Sequence, residues 1–184
     1  MNTTSKYLGV VEFSGKVIIS DPCYDRGTWC MQMDFPVKPG RYHVYAVFSD
    51  EEVWGIRVAS LLFRHESIKK NLPSRSWREV ASSIGVDSGQ CGIFDDTIYP
   101  QTKDHPDNHP FYEECCGITL AEEQAGILQS GKGVVSSSGY GDGCYGLSVI
   151  EQNGENVALL LDYDLVKMRQ IMRSLVAAAR EDAK

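Results

Sequence analysis

Alternating apolar and polar residues predict β-strands over the first third of the chain. Two apolar runs, YLGVVEF at 7–13 and KVIIS at 16–20, flank Ser14-Gly15, and this arrangement predicts a hairpin. RYHVYAVFSD at 41–50 alternates in the manner of a strand with one buried face. VWGIRVASLLFR at 53–64 is predicted as its antiparallel partner. Sheet therefore dominates this half of the chain.

The second half of the chain combines predicted helices with further strands. SRSWREVASS at 74–83 is compatible with two helical turns, and FYEECCGITLAEEQAG at 111–126 predicts a helix broken at Gly117. The stretch GVVSSS predicts a strand that GYGDG interrupts and CYGLSVIE resumes. Asn153-Gly154 is a strong hairpin signal before ENVALLLDY.

The C-terminal segment at 164–183 has the clearest helical pattern. Its apolar residues recur at the i, i+3, i+4 and i+7 spacing of one helix face, and Asp164 can cap the first turn. At 1.5 Å per residue this helix would be roughly 30 Å long. We predict a single β-rich α+β domain over residues 1–184, with this long amphipathic helix packed on one face of antiparallel sheet. A two-layer sandwich and a curled sheet of about eight to ten strands are the alternatives.

The composition is that of an ordinary globular protein, with 42% hydrophobic and 23% charged residues. The N-terminal residues lack the apolar run of a secretory signal, and the longest aliphatic stretch, VALLLDY, is too short to span a bilayer. These features predict a cytoplasmic protein without a membrane partner. The formal net charge of −7 argues against nucleic acid as a partner, because phosphate binding needs an excess of Lys and Arg.

The six cysteines predict neither disulfides nor a zinc site. A cytoplasmic setting keeps thiols reduced, so an even count does not by itself indicate disulfide pairing. No pair has the C-x-x-C spacing that is typical of zinc ligands. We expect most of them to be small buried hydrophobic residues: Cys23, Cys30, Cys91, Cys115, Cys116 and Cys144.

Three stretches place an aspartate beside Gly, Pro or Ser, within a residue or two of a predicted strand. They are SDPCYD at 20–25, VDSGQCGIFDD at 86–96 and SSSGYGDGCYG at 136–146. The third has four glycines within eight positions, which is more than a simple hairpin turn needs. It predicts either a close-packed binding element around Asp142, or a bulge or Asx turn in which Asp142 satisfies backbone N–H groups.

The glycine-rich stretch matches none of the common ligand-binding loops. A Walker loop continues from Gly-Lys into a helix, whereas Gly131-Lys132 continues into a predicted strand. A Rossmann fingerprint also needs a helix, and the residues after Gly143 are strand-like. The alternating oxygen ligands and closing glutamate of an EF-hand calcium loop are lacking as well.

Together, the three stretches in this order and at this spacing resemble domain-of-unknown-function family 4241, which occurs in bacteria and phages. The resemblance covers roughly residues 20–163. It implies membership of a family and no particular activity. Because the family includes phage proteins, the resemblance also implies two alternative roles: sequestering a host signalling molecule or inhibiting a host protein.

Convergence of the three stretches at one sheet edge would create a polar site. The predicted ligand-binding residues are Asp21, Tyr24, Asp87, Ser88, Gln90, Asp95, Ser138, Tyr140, Asp142 and Tyr145. The four aspartates of this set would repel one another unless a cation or hydrogen-bond donors lay among them. Two interpretations therefore remain open. The four aspartates either form a magnesium or calcium site or cap separate loops: Asp21, Asp87, Asp95 and Asp142.

The segment RHESIKKNLPSRSWR at 64–78 is basic in an otherwise acidic chain. Its cations form either a solvated face or the rim of a pocket for an anionic ligand: Arg64, Lys69, Lys70, Arg75 and Arg78. A cysteine nucleophile is a separate enzyme hypothesis, in which Cys23 or Cys91 would pair with His105 or His109.

The sequence leaves three functional hypotheses open. The first is a non-catalytic binding module for a small polar or anionic, nucleotide-like ligand, and this is the one the sequence favours. The second is a metal-dependent hydrolase that uses the aspartate cluster. The third is a protein-interaction protein in which the Gly/Asp loops are purely structural. The amphipathic C-terminal helix leaves both a monomer and a homo-oligomer open.

Overall fold

The computed structural model describes residues 2–68, 76–100 and 110–181. Within these ranges the chain forms eleven strands, two α-helices and a 3₁₀ turn at Glu52–Trp54. The strands are β1 (Thr3–Phe13), β2 (Lys16–Ser20), β3 (Gln32–Pro36), β4 (Gly40–Asp50), β5 (Ile56–His65), β6 (Arg78–Val86), β7 (Gln90–Asp95), β8 (Ala125–Ile127), β9 (Gly133–Ser137), β10 (Gly143–Gln152) and β11 (Glu155–Asp162). The helices are α1 (Pro110–Thr119) and α2 (Met168–Glu181).

The strands form two antiparallel sheets. The six-stranded sheet has the order β1-β4-β5-β11-β10-β6, and the five-stranded sheet has the order β3-β2-β7-β9-β8. Each neighbouring pair in both sheets is antiparallel. The predicted β-rich fold with antiparallel sheets is confirmed.

Two predicted hairpins are confirmed and a third is wrong. Strands β4 and β5 pair as expected, and β10 pairs with β11 across Asn153-Gly154. Asn153 and Gly154 have φ angles of 54° and 80°, as a type I′ hairpin turn requires. In contrast, β1 and β2 belong to different sheets, so Ser14-Gly15 is a crossing between sheets.

Three other connections also cross between the sheets, and two of them lie side by side. Residues 87–89 join β6 of the six-stranded sheet to β7 of the five-stranded sheet, and residues 138–142 join β9 to β10 in the opposite direction. Val86 pairs with Gly143 just before the first crossing, and Gln90 pairs with Ser137 just after it. We call residues 87–89 and 138–142 the paired crossing loops.

Buried side chains tie the two sheets and both helices together. One cluster contains residues of both sheets, among them Val44, Ile93 and Leu161. A second cluster joins α1 to the five-stranded sheet, and a third joins α2 to β4, β5 and β11. Since β4 contributes to both the first and the third cluster, both of its faces are buried rather than one.

The helix predictions need three corrections. The C-terminal helix begins at Met168 rather than at residue 164, and Asp164 has a left-handed φ of 58° that precludes a helical first turn there. Helix α1 continues through Gly117 without a break but ends at Thr119, and the end of the predicted helix belongs to strand β8. Residues 78–83 belong to strand β6, so this part of the predicted helical turns is wrong, and residues 74–75 lie outside the described ranges. Neither described helix is long and apolar enough to cross a membrane.

Candidate functional site

Asp21 lies where the first two aspartate-containing stretches meet, and its carboxylate is fully buried. Oδ1 accepts hydrogen bonds from the backbone N–H of Cys23 at 2.9 Å and from the hydroxyl of Ser88 at 2.6 Å. Oδ2 accepts from the backbone N–H groups of Asp87 at 2.9 Å and Ser88 at 2.7 Å. Four donors therefore satisfy both carboxylate oxygens and fix the 87–89 crossing loop to the end of β2.

The cysteines near Asp21 are poorly suited to nucleophilic catalysis. Burial, followed by the negative charge of Asp21, raises the pKa of the Cys23 thiol far above its usual range. Burial likewise raises the pKa of Cys91, and a protonated thiol is a weak nucleophile. The histidines predicted to act as a base, His105 and His109, lie outside the described residues.

Asp95 stabilises a different crossing. Its Oδ2 accepts from the backbone N–H of Ser14, and its Oδ1 accepts from the N–H and hydroxyl of Thr97. These hydrogen bonds outweigh the opposing effect of burial and lower the pKa of the carboxyl. Asp95 is at the far end of β7 from Gln90, about 17 Å away along the strand, so it does not join the group around Asp21.

The 138–142 crossing loop is closed by its own hydrogen bonds. The Ser138 hydroxyl donates to the Gly141 carbonyl at 2.9 Å, and the Gly141 N–H donates to the Ser138 carbonyl at 2.7 Å. The hydroxyl of buried Tyr145 lies 2.6 Å from the Gly141 carbonyl and 3.0 Å from that of Ser138. The Ser138 N–H donates to the Gly89 carbonyl, which joins the two paired crossing loops.

Glycines give this loop its shape and turn Tyr140 outward. Gly139 and Gly141 have φ angles of 53° and 112°, which residues other than glycine rarely adopt. A Cβ atom on Gly139 would lie 3.2 Å from the backbone and side chain of Tyr163. The N–H of Gly139 donates a hydrogen bond to the Val58 carbonyl. The loop is thus anchored on both sides of Tyr140, whose side chain is 57% exposed.

An exposed apolar group lies beside this loop. The Trp54 ring meets the Tyr140 ring edge to face with centroids 6.3 Å apart, and Trp54 is 64% exposed. Val53 is 93% exposed, and Ile56 is also exposed. The hydroxyl of Tyr140 donates to the Glu51 carboxylate. We call Val53, Trp54, Ile56 and Tyr140 the Trp54–Tyr140 surface.

Polar contacts fix the base of the Trp54–Tyr140 surface. The Ser49 hydroxyl and then the Tyr140 hydroxyl lower the pKa of the Glu51 carboxyl, so Glu51 is a stable acceptor for Tyr140 at neutral pH. Arg57 Nε donates to the Trp54 carbonyl at 2.9 Å and holds the tip of the β4–β5 hairpin. Hydrogen bonds therefore hold both members of the aromatic pair: Glu51 binds the Tyr140 hydroxyl, and Arg57 binds the Trp54 carbonyl.

The other polar residues of the predicted site also have partners within the protein. The Gln90 amide oxygen accepts from the Thr119 hydroxyl at 3.0 Å, and its nitrogen contacts Cys116 Sγ at 3.4 Å. Burial and then a hydrogen bond to Asp87 raise the pKa of half-buried Tyr24. Asp87 and Asp142 themselves are exposed.

The structure therefore brings the three stretches together without gathering their four aspartates. Asp21 is saturated by protein donors, Asp95 lies at another crossing, and Asp87 and Asp142 lie on the surface. Among residues 2–68, 76–100 and 110–181, no group of three or more His, Cys, Asp and Glu side chains is arranged to hold a metal ion. The four predicted metal ligands, all of them described, therefore do not form such a group.

The basic segment is only partly described. Arg64 is buried and donates to the Ile68 carbonyl at 2.6 Å, and Arg78 lies 3.3 Å from Glu151 at the surface. Lys69, Lys70 and Arg75 lie outside the described residues. The two described arginines therefore interact with their own chain.

Sequence reasoning included Tyr140 and missed the rest of the Trp54–Tyr140 surface. The stretch VWG was assigned to a strand because it is apolar, but Val53 and Trp54 belong to the turn before β5. An apolar Val-Trp pair between the acids of a turn and a glycine was the available signal. Trp29, outside this surface, is also exposed, at 88%.

A second group of carboxylates lines a depression on the six-stranded sheet. Glu79, Asp162 and Asp164 surround it together with Gly146 and Ser148. Burial, followed by the charge of Asp164, raises the pKa of Asp162 to about 6, and the Asp164 N–H opposes this by donating to Oδ1. Asp162 is thus a carboxyl group whose ionisation at neutral pH opposes folding.

Replacing Asp162 by asparagine should stabilise the protein at neutral pH. Because the folded pKa exceeds the unfolded one, wild-type stability from this group is greatest in acid and falls as pH rises through about 6. A folded-state pKa of about 6 in place of about 4 corresponds to at most about 3 kcal/mol at pH 7. Melting curves from about pH 4 to pH 8 should show the Tm advantage of Asp162→Asn growing up to about pH 6 and levelling off above it, with Asp142→Asn as the control at an exposed aspartate. A constant difference would contradict this assignment.

Comparison with family models gave no match, and comparisons with curated proteins and solved structures gave no significant match. The resemblance to the domain-of-unknown-function family therefore rests on the three stretches alone and stays a prediction. The function has to be argued from the site itself.

Proposed function

We propose that the chain is a non-catalytic interaction protein that binds a protein partner through the Trp54–Tyr140 surface. The observation that supports this most directly is the exposed aromatic pair, Trp54 against Tyr140. Exposed apolar groups of this kind are typical of interaction sites, and Trp and Tyr, with Arg, contribute most of the energy at protein interfaces.

The local structure around Tyr140 favours binding. A rigid surface loses little conformational entropy when a partner docks, which raises affinity. The loop bearing Tyr140 is fixed by the Ser138, Gly141 and Tyr145 hydrogen bonds, and the ring itself is held by Glu51. These contacts give Gly139 and Gly141 a purpose in binding: they shape a rigid base for one exposed tyrosine.

The two alternative functions have less support from the same residues. A small polar ligand needs polar groups that are free to bind it, whereas Asp21, Gln90 and Ser138 bond to neighbouring protein groups. A hydrolase built on the aspartates needs several carboxylates around one ion, and the described aspartates are dispersed. We therefore prefer the third hypothesis, in which most motif residues hold the loops in place.

The resemblance suggests a biological version of this proposal. If the chain is a phage or bacterial inhibitory protein, the partner would be a host protein whose own site is covered on binding. The free cysteines fit a reducing cytoplasm, where such a partner would be met. We also propose that the two sheets are the layers of a sandwich, since one buried cluster draws on both of them.

Trp54→Ala and Tyr140→Ala should each lose the partner while keeping the fold. Truncating a central aromatic residue commonly costs about 2 kcal/mol or more of binding energy, a loss of roughly thirtyfold. The measurement is co-purification of partner proteins from the natural host with tagged wild type and variants, followed by mass spectrometry.

Trp29→Ala is the matched control, because Trp29 is also an exposed tryptophan and lies outside the surface. It should retain the partner, and all variants should melt within a few degrees of wild type. Size-exclusion chromatography tests whether the partner is a second copy of the same chain. A dimer that forms with wild type and not with Trp54→Ala would show that it is. Equal retention by wild type and Trp54→Ala would refute the proposed surface.

A further inference from the structure

The charges bordering the Trp54–Tyr140 surface are mostly negative. Asp50 and Glu52 lie in the same turn as Trp54, and Asp142 follows Tyr140 by two residues; all three are exposed. Beside Ile56, two further exposed acids line a shallow depression, Glu122 and Glu123. Five exposed carboxylates therefore lie either on the same segments as the four exposed apolar residues or beside Ile56.

Nearby cations offset only part of this charge. Arg57 donates through Nε to the Trp54 carbonyl at 2.9 Å, which directs part of its guanidinium toward its own chain. Lys6 lies at the edge of the depression, 4.0 Å from Glu123. The chain as a whole carries a formal charge of −7, so its field does not reverse the local excess.

The depression beside Ile56 adds a partly apolar recess to the acidic border. Two apolar side chains, Phe48 and Ile56, line it together with Thr4, Ser5, Lys6, Glu122 and Glu123. The Gln124 amide donates to the Ile56 carbonyl at 3.2 Å and holds this wall in position. A recess of this composition accepts one apolar side chain whose neighbours are positively charged.

We propose that the partner presents a protein segment in which an apolar anchor is flanked by lysine or arginine. This inference rests on the proposed function and specifies the partner's chemistry. The anchor occupies the recess between Phe48 and Ile56, while the cations face Glu52, Glu122 and Glu123. An arginine of the partner also has the exposed faces of Trp54 and Tyr140 available for a cation–π contact.

A random peptide library displayed on phage tests this proposal, with wild-type protein as bait and free Trp54→Ala protein as competitor. The recovered peptides should contain a Leu, Ile, Phe or Trp with two or more Lys or Arg close by. Synthetic copies should bind roughly tenfold more weakly in about 300 mM than in about 50 mM NaCl, because salt screens exposed charges. Fluorescence anisotropy measures both affinities.

Charge reversal supplies the second readout. Combining Glu52→Lys with Glu122→Lys should weaken binding of the same peptides by roughly tenfold or more. Glu151→Lys is the control, because Glu151 is an exposed acid of β10 that pairs with Arg78 instead. Its affinity should equal that of wild type.

The outcomes separate the partner's charge from the surface itself. One outcome is a set of peptides that depend on Trp54 yet are neutral or acidic, or bind independently of salt and charge reversal. That outcome would contradict the cationic partner but leave the interaction surface supported. Recovery of no Trp54-dependent peptide would contradict both the surface and the partner. Cationic, salt-sensitive, Trp54-dependent peptides would support both.

Discussion

Replacing Asp21 by alanine is expected to lower the free energy of unfolding by about 3 to 4 kcal/mol. The carboxylate accepts three backbone N–H groups, from Cys23, Asp87 and Ser88, as well as the Ser88 hydroxyl. Alanine removes every acceptor at once and leaves a cavity at a fully buried position. Asparagine should be nearly as harmful, since its NH₂ group would face N–H donors.

Thermal unfolding measures this effect, and a loss of this size should lower Tm by roughly 10 °C for a chain of this length. Asp142→Asn, which changes an exposed aspartate of the third stretch, should melt like wild type. Wild-type Tm should also be unchanged by magnesium, calcium or a chelator. A metal-dependent rise in Tm that disappears in Asp21→Asn would contradict a purely structural Asp21 and restore the metal-site hypothesis.

The sequence predicts the β4–β5 pair correctly because an apolar, strand-like run is a local property. Residues 41–50 and 53–64 each contain such a run, and they pair as expected. The segment before Val86 is different: its Ser, Arg and Glu residues allow a helix, but long-range pairing with β10 makes it a strand. Tertiary pairing of this kind overrides local preference and is invisible in a single stretch of sequence.

The same limit explains the incorrect N-terminal hairpin. Ser14-Gly15 has the composition of a turn, and nothing local distinguishes a turn within one sheet from a crossing between two sheets. The distinguishing contact is the hydrogen bond from the Ser14 N–H to Asp95, which is eighty-one residues away. The sequence motifs identified both Asp21 and Asp95, the two aspartates that stabilise crossings between the sheets. The motifs did not indicate that these two aspartates stabilise different crossings.

Within the candidate site, the glycine-rich stretch shows what composition can and cannot reveal. Its glycines indicated a shaped loop centred on Asp142; Ser138 and Tyr145 form the internal hydrogen bonds of the observed loop, whereas Asp142 is exposed. The pattern did not indicate that the loop faces the β4–β5 turn. Trp54 was therefore missed, because its relevance depends on a neighbour eighty-six residues further along the chain.

Gly92→Ala is expected to be the most damaging single-atom addition in the second stretch. Gly92 lies within β7, paired with Ser20 on one side and Val135 on the other. A Cβ atom there would lie 2.3 Å from the Val134 carbonyl oxygen and 2.4 Å from the Phe94 ring. Because the oxygen belongs to the backbone of β9, relief requires the two strands to separate.

We expect Gly92→Ala to cost about 4 kcal/mol or more, or to prevent soluble expression. Adding Phe94→Leu should not rescue it, because the backbone oxygen remains in place. Gly117→Ala is the matched control: nothing lies within 4 Å of its added methyl group, and alanine in helix α1 should raise stability by about 0.5 to 1 kcal/mol. Chemical denaturation of the three variants measures these differences. Near-normal stability of Gly92→Ala would mean that β7 and β9 are less tightly paired than their hydrogen-bond register indicates.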